Sequence, residues 1–387
     1  MTTHNQIIAY QQLLSAAGKL SKLFSDNIIP FLVPRSVENI YCLAFQADNL
    51  GRADCSADAS LNGTGIGIKT FIHGNGRTLQ KIAEFNKDAR LYRGLQPHAL
   101  VLKIAELRNE RINVTKRLYG LSDMIYHCVT RDQNGFQIYE LPMDLIDIKN
   151  IRQVSMKNKN TITFEDGINS YSFNLTKSTL YKRFTLETPL YNVPVDILDD
   201  PYTAIQNLNT SNSPCSNKEL QLNIQQELVN SPLIEESNPY VILPLFSDRG
   251  SQRHVPERSG LNQWNANGRA RHSDEVYVPI PKKIHSVFPN FFPPRDQPFT
   301  LVLPDQRRLD AKVCQDGSKA LMSNPNKELG QWLLRTVFQL QPNQLLTYDY
   351  LEVLGIDSVR VERRSDSMYT IDFCSMGTYD DFQSEFL

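Results

Sequence analysis

The stretch EVYVPIPKKIHSVFPNFFPPRDQPFTLVLPDQRRLDAKVCQDGSKALMS, residues 275–323, sets the architecture of the C-terminal part of the chain. Its runs EVYVPIP (275–281), FTLVLP (299–304) and DAKVC (310–314) are short, β-branched or aromatic, and separated by proline and polar turns, the pattern of short strands. VILPLF (241–246) before them, and SVRVER (358–363) and YTIDF (369–373) after them, read the same way. A helix is expected over 326–340 and a second over 347–354. Several short strands with one or two helices predict a small open barrel. Asn290 to Pro294 (NFFPP) reads as a packed turn.

Two loops in this region build no core. Gln263, Trp264, Asn265, Asn267, Arg269, Arg271 and His272 crowd together without apolar periodicity. Gln315, Asp316, Gly317, Ser318 and Lys319, running on to Met322, Ser323 and Asn324, form a second polar loop after DAKVC. Asn, Gln and Arg are the side chains that bond base edges in pairs in the major groove. Asp274 and Glu275 would repel phosphate and read as structural, and Trp332 reads as helix core.

Upstream, residues 191–237 are rich in Pro, Asn, Ser and acidic side chains, as in NTSNSPCSN (209–217). They read as a linker with one short helix over about 217–229. The boundaries expected are therefore 1–190, a linker at 191–237, and 238–387. In the first of these, spacing predicts an amphipathic helix over 6–24, a buried strand over 39–47, a strand GIGIKTF over 65–71, a helix from Thr78 to about Tyr92, and a long helix over 97–119 opened by Pro97. Two strands are expected to flank Asn134-Gly135, and another pair Glu165-Asp166-Gly167. Helices and strands so mixed predict an α/β unit.

Asp58, Lys69 and Glu84 carry the chemistry of this first unit. Phosphodiester hydrolysis uses a divalent cation to neutralise charge and acidify a bound water. Mg²⁺ is usually held by one or two carboxylates, and a lysine nearby can stabilise the charge that builds on phosphorus. Asp58 and Glu84 are the expected ligands of Mg²⁺, and Lys69 the water-activating or charge-stabilising group. Asp54 is a spare ligand, and Gln80 and Lys81 are candidate supporting contacts. The Gly-rich GTGIG (63–67) does not match GxxxxGK[ST], so a nucleotide-binding turn is set aside. Lys177, Ser178, Lys182 and Arg183, in FNLTKSTLYKRF (173–184), are candidate phosphate contacts.

Two resemblances extend this reading. Asp58 and Lys69 resemble the PD-(D/E)xK nuclease core of many type II restriction endonucleases. That core ordinarily has a carboxylate two residues before the lysine, where this chain has Gly67. Some such enzymes carry the second carboxylate on a following helix, and Glu84 fits that form. The C-terminal phrases VPERSGLNQWN, EVYVPIPKKIHSVFPNFFPPRDQPFTL, AKVCQDGSKALMSNPNKELGQWLLR and LLTYDYLEVLGIDSVRVER resemble the B3-like recognition domain of NgoFVII-type restriction endonucleases, over about 240–373.

The resemblance implies a β-pseudobarrel with one or two helices that straddles double-stranded DNA. Its first arm maps to about 262–275, taking in Asn262, and its second to about 315–324. The PD-(D/E)xK resemblance implies a restriction-endonuclease-like α/β core in front, a mixed sheet flanked by helices. Relatives with this reader often carry a phospholipase D-like nuclease with a His-x-Lys motif. The histidines at 73, 98 and 127 lack that lysine.

The expected protein is a Mg²⁺-dependent type II restriction endonuclease. Cutting both strands implies a homodimer, and such systems include a cognate DNA methyltransferase. The alternatives are a non-catalytic DNA-binding regulator and a metal-independent phospholipase D-type nuclease. Composition agrees with an ordered protein: 387 residues, 41 % hydrophobic and 21 % charged. With 41 basic and 42 acidic residues, bulk attraction to nucleic acid is excluded, but a local basic groove is not. Six scattered cysteines with no CxxC pair argue against a zinc ribbon or disulfide framework. No apolar run approaches the length of a membrane span, and the opening MTTHNQIIAYQQ lacks the features of a secretory signal. A cytoplasmic protein without membrane contact is expected.

Overall fold

The computed structural model describes residues 2–51, 55–210, 238–248 and 252–387, with side chains omitted for 208–210. Three sheets organise them. The first is six-stranded, in the order β1 (Asp48–Asn49), β2 (Ala59–Leu61), β3 (Thr64–Ile72), β5 (Asp123–Asp132), β6 (Gly135–Pro142), β11 (Tyr191–Pro194). The second is five-stranded and antiparallel: β4 (Arg77–Glu84), β10 (Thr179–Thr185), β9 (Ser170–Asn174), β8 (Thr161–Glu165), β7 (Arg152–Asn158).

β3 alternates by design. Ile66 and Ile68 face a core shared with helices α1 (His4–Lys19) and α2 (Pro34–Phe45), among Tyr10, Leu14, Val37, Tyr41 and Phe45. Phe71, on the other face, joins Met124, Tyr126 and Met143 between the two sheets. β3 and β5 run parallel, which a tight hairpin cannot achieve. The connection passes through β4, a short helix α3 (Ala89–Tyr92), and the long helix α4 (Pro97–Tyr119).

Three sequence expectations are corrected here. Residues 39–47 lie mostly in α2 rather than in a strand: Pro34 takes the first helical turn, and Val37, Tyr41, Ala44 and Phe45 are its buried stripe. Residues 77–84 form strand β4, not a helix, because the backbone from Arg77 to Glu84 pairs with β10 along its length. The stretch assigned to the linker begins later than expected, since Tyr191–Pro194 closes the first sheet against β6. Pro201–Thr210 then forms a helix, α5. The helix expected over 217–229 lies outside the described residues.

The third sheet makes the barrel. Its order is β12 (Tyr240–Pro244), β17 (Ile356–Ser365), β18 (Met368–Ser375), β14 (Pro298–Val302), β15 (Arg308–Cys314), β16 (Ala320–Ser323), β13 (Val278–Pro279). The helix expected over 326–340 is Glu328–Gly330 continued by the wider turn Gln331–Val337, with Trp332, Leu333 and Leu334 buried as core. The NFFPP turn packs as expected: Phe291 and Phe292 lie against Tyr369.

The barrel core does not stop at the linker. Val114 and Leu118, on the last turns of α4, are part of it. Arg117 Nε donates to the Val337 carbonyl at 2.8 Å, and Tyr119 Oη donates to the Asp372 carboxylate at 2.9 Å. Enclosure raises the Asp372 carboxyl to about 6, against the hydrogen bond from Tyr119, which lowers it. A carboxyl raised in the fold binds its proton more tightly there than in the unfolded chain. Stability from this contact therefore falls as pH rises from about 4 through 6. Asp372→Asn keeps an acceptor for Tyr119 and removes the charge. It is expected to raise stability at pH 7.5 by about 1–3 kcal/mol and to flatten this part of the pH dependence, read by thermal unfolding across pH.

Candidate nuclease cleft and DNA-reading arms

Asp58 and Lys69 lie where the sequence puts them. Ala59 pairs with Ile66 and Lys69 pairs with Cys128. Asp58 thus falls opposite Gly67, on the face that carries Lys69. One Asp58 carboxylate oxygen accepts from the Ile68 N–H at 2.6 Å. At Gly67 a Cβ would sit 2.5 Å from Met143 Cε. The space where related motifs carry a carboxylate is filled here by a buried thioether.

Glu84 is the correction. It ends strand β4, and its two carboxylate oxygens are taken by Lys81 and Asn86. It does share a cleft with Lys69. The cleft has a volume of about 420 Å³ and is lined by Lys69, Lys81, Glu84, Lys87, Asp88 and Arg111 on one side, and by barrel residues such as Gly355, Phe373 and Met376 on the other. Arg111 donates to the Glu84 carbonyl at 2.7 Å and to Asp88 at 2.5 Å, with its guanidinium over the Phe85 ring. Burial raises the Asp88 carboxyl above its ordinary range, and Arg111 works against that rise. Cations outnumber carboxylates in this cleft, which suits a phosphodiester.

The carboxylates do not suit a magnesium ion equally well. Among the described residues no group of three His, Cys, Asp or Glu side chains converges to hold a metal. Glu84 is already bonded, Asp58 is not among the cleft-lining residues, and Asp54 lies outside the described residues. As arranged, Asp58 and Glu84 do not form the expected ligand pair.

The four candidate phosphate contacts separate. They occupy β10 and the turn before it, not a helix start. Lys177 and Arg183 face solvent on the outer side of the second sheet, whereas Ser178 and Lys182 are buried. Lys182 points between the sheets, its ammonium 5.4 Å from the Tyr126 ring centroid and 5.7 Å from that of Phe184. Burial lowers its pKa, partly countered by Asp144. A lysine lowered in the fold costs stability at neutral pH, and that cost is relieved as pH rises toward the unfolded value. Lys182→Met is expected to raise stability at pH 7 by about 1 kcal/mol and leave DNA affinity unchanged, checked by denaturant unfolding and duplex titration.

The first arm is braced from within. Asn262 is fully buried and holds the loop at Leu346, donating to its carbonyl at 2.9 Å and accepting from its N–H at 3.0 Å. It shapes the arm instead of reading bases. Trp264 packs against the barrel core and Gln263 is half-buried. Arg269 pairs with Glu275 at 2.6 Å, and Arg271 donates to the carbonyls of Ala266, Asn267 and Arg269. Asp274 is gripped by Arg335 at 2.7 Å. Asn265, Asn267, Arg269 and His272 remain exposed at the tip.

In the second arm Met322 and Ser323 are buried in β16, where Ser323 accepts from the Leu329 N–H at 2.9 Å. Asp316, Lys319 and Asn324 are exposed, with Gln315 and Ser318 partly so. The loop Gln315–Lys319 of the second arm lies at one end of β16, where Ile280, just past β13, donates to the Lys319 carbonyl, and Asn324 lies at the other, the end from which the first arm enters β13. The bracing residues Arg335 and Leu346 carry no local signal of their role, since their partners are remote in sequence.

Residues 236–364 match the family model described as the NgoFVII C-terminal B3-like DNA-binding domain. The match takes in both arms and the barrel strands up to β17, and leaves β18 and the first two sheets outside it. No curated protein matches the chain. No helix among the described residues is long and apolar enough to cross a membrane.

Proposed function

We propose that this protein is a type II restriction endonuclease: the barrel reads a short sequence in double-stranded DNA, and the first two sheets form the unit that hydrolyses the backbone. The observation that carries the reading is the match of residues 236–364 to a DNA-binding domain of restriction-enzyme type. The exposed amide and cationic side chains at the two arm tips support it, being of the kind that bond base edges.

The nuclease half rests on Asp58 and Lys69 sharing one sheet face, and on the cation-lined cleft that Lys69 enters. Lys69 would stabilise charge on the scissile phosphate and Asp58 would hold the attacking water. The same reading includes a homodimer, so that two sites cut two strands, and a methyltransferase that protects the host sequence. The test is incubation of the purified protein with unmethylated phage DNA, with and without Mg²⁺. Discrete bands support the proposal, and activity that survives excess EDTA would show that no divalent cation is needed.

A second reading has its own observation. Glu84 is tied to Lys81 and Asn86, and Met143 fills the place of the usual carboxylate. This favours a sequence-specific DNA-binding regulator with a degenerate nuclease unit. Footprints without cleavage at any divalent metal concentration would establish it.

A further inference from the structure

The outer face of the second sheet is a hollow of about 500 Å³. β7, β8, β9 and β10 line it with amides and hydroxyls, and Lys157, Lys177 and Arg183 stand around it with Tyr181. A polar outer face is ordinary for an antiparallel sheet with one side on the core. The charge is not ordinary here. The chain as a whole balances 41 basic against 42 acidic residues, yet this hollow gathers three cations and one carboxylate, Glu165. That carboxylate accepts from the Ser170 hydroxyl at 3.2 Å.

Some surface cations elsewhere are neutralised in pairs: Lys22 with Asp199, Arg35 with Glu38, Lys103 with Glu106, Arg253 with Asp380. Among the described residues, Lys157, Lys177 and Arg183 make no ion pair. Three cations gathered around one carboxylate leave net positive charge, and a polyanion relieves the repulsion between them by displacing counterions. Lys and Arg mixed with Asn, Ser, Thr and Tyr are also the groups that bond phosphate oxygens.

We propose that this sheet face is a second DNA-binding surface, one that holds the sugar–phosphate backbone of a duplex without reading its sequence. The inference rests on the DNA-binding reading of the barrel and adds a contact on the other unit. It assigns affinity to the first unit and sequence preference to the arms. Lys182, buried on the opposite face of the same strand, takes no part.

The test compares the full chain with Lys157→Gln/Lys177→Gln/Arg183→Gln, titrated at several salt concentrations against a random-sequence duplex of about 40 base pairs. Three lost phosphate contacts should reduce the steepness of the log–log salt dependence by about 2–3 and weaken binding at moderate salt by at least about tenfold. Lys157→Gln alone, on the edge strand, should remove about one ion, and it keeps the test decisive if the triple variant folds poorly. Lys157→Arg should restore wild-type binding. Unchanged affinity and slope in both Gln variants, while the wild type binds, would overturn the surface and leave the barrel reading intact. A wild type that binds no duplex would overturn both. Tighter binding to a duplex RNA of equal length than to the DNA would overturn the assignment of DNA as the occupant.

Discussion

Asp58→Ala and Lys69→Ala are each expected to lower DNA cleavage by at least about a hundredfold, the scale for removing one group that stabilises developing charge, while duplex binding persists. The expectation follows from geometry. Asp58 and Lys69 belong to the first sheet, and both reading arms belong to the barrel. Lys69 enters the cleft from strand β3, and its side chain braces neither arm. Single-turnover cleavage measured beside duplex titration separates the two effects. Loss of DNA affinity in correctly folded variants would place these residues in binding. Glu84→Ala is expected to do less, because Glu84 is engaged with Lys81 and Asn86 on another sheet. Full loss of cleavage in Glu84→Ala would mean that those two bonds break in the complex and free the carboxylate.

Arg335→Ala is expected to disorder the first arm. Arg335 donates to the Asp274 carboxylate at 2.7 Å, to the Ser273 carbonyl at 2.8 Å, and to the Leu340 and Gln341 carbonyls at 2.8 Å. Asp274 is buried, so truncating its partner leaves its carboxylate with only the Ser273 hydroxyl at 3.3 Å and the His272 ring at 3.5 Å. Breaking such a pair costs about 3 kcal/mol. Gly330 shows how closely the same helix approaches: a Cβ there would lie 1.8 Å from the Asp274 carbonyl oxygen. The expected outcome is a lower melting temperature together with loss of preference between cognate and scrambled duplexes. Arg335→Lys should recover little, because one ammonium cannot replace a planar fork that serves four acceptors. If sequence preference survives in Arg335→Ala, the first arm is not the reader, and discrimination falls to Asp316, Lys319 and Asn324 of the second.

The two arginines of the first arm follow a related logic. Sequence alone makes Arg269 and Arg271 the natural readers of guanine. In the fold Arg271 is spent on three carbonyls of its own loop, while Arg269 holds Glu275 and remains exposed. Arg269 can exchange Glu275 for a base edge by rotating its side chain. Arg271 can do so only by dismantling the loop. Of the two, Arg269 is the one whose loss should relax sequence preference while leaving the loop bonds of Arg271 in place, at some cost in stability from the Glu275 carboxylate it leaves unpaired.

Much of the architecture was legible in the residues themselves. The short strands of the barrel, helix α4 from Pro97, the strand carrying Lys69 and the hairpin around Asn134-Gly135 all appear where turn chemistry and periodicity place them. These signals are local: a proline at a first turn or a polar break between apolar runs acts within a few residues. Two segments escaped for opposite reasons. Residues 34–45 carry a helical stripe and a leading proline, but the apolar run within them imitates a buried strand. Residues 77–84 imitate an amphipathic helix and become a strand because β10, remote in sequence, offers its edge.

Outside those two segments, sequence by itself determined the kinds of element, the short barrel strands and the position of the polar arms. Tertiary structure decided which polar side chains are available. Lys177 and Lys182 lie five positions apart in similar company, yet one meets solvent and the other lies between two sheets. Asn262 and Asn267 read alike, yet one bridges Leu346 and the other sits at the tip of the arm. Residue type fixes what a side chain can bond. Burial and the nearest competing partner fix whether it is free to do so, and both are set by chain segments far away in sequence.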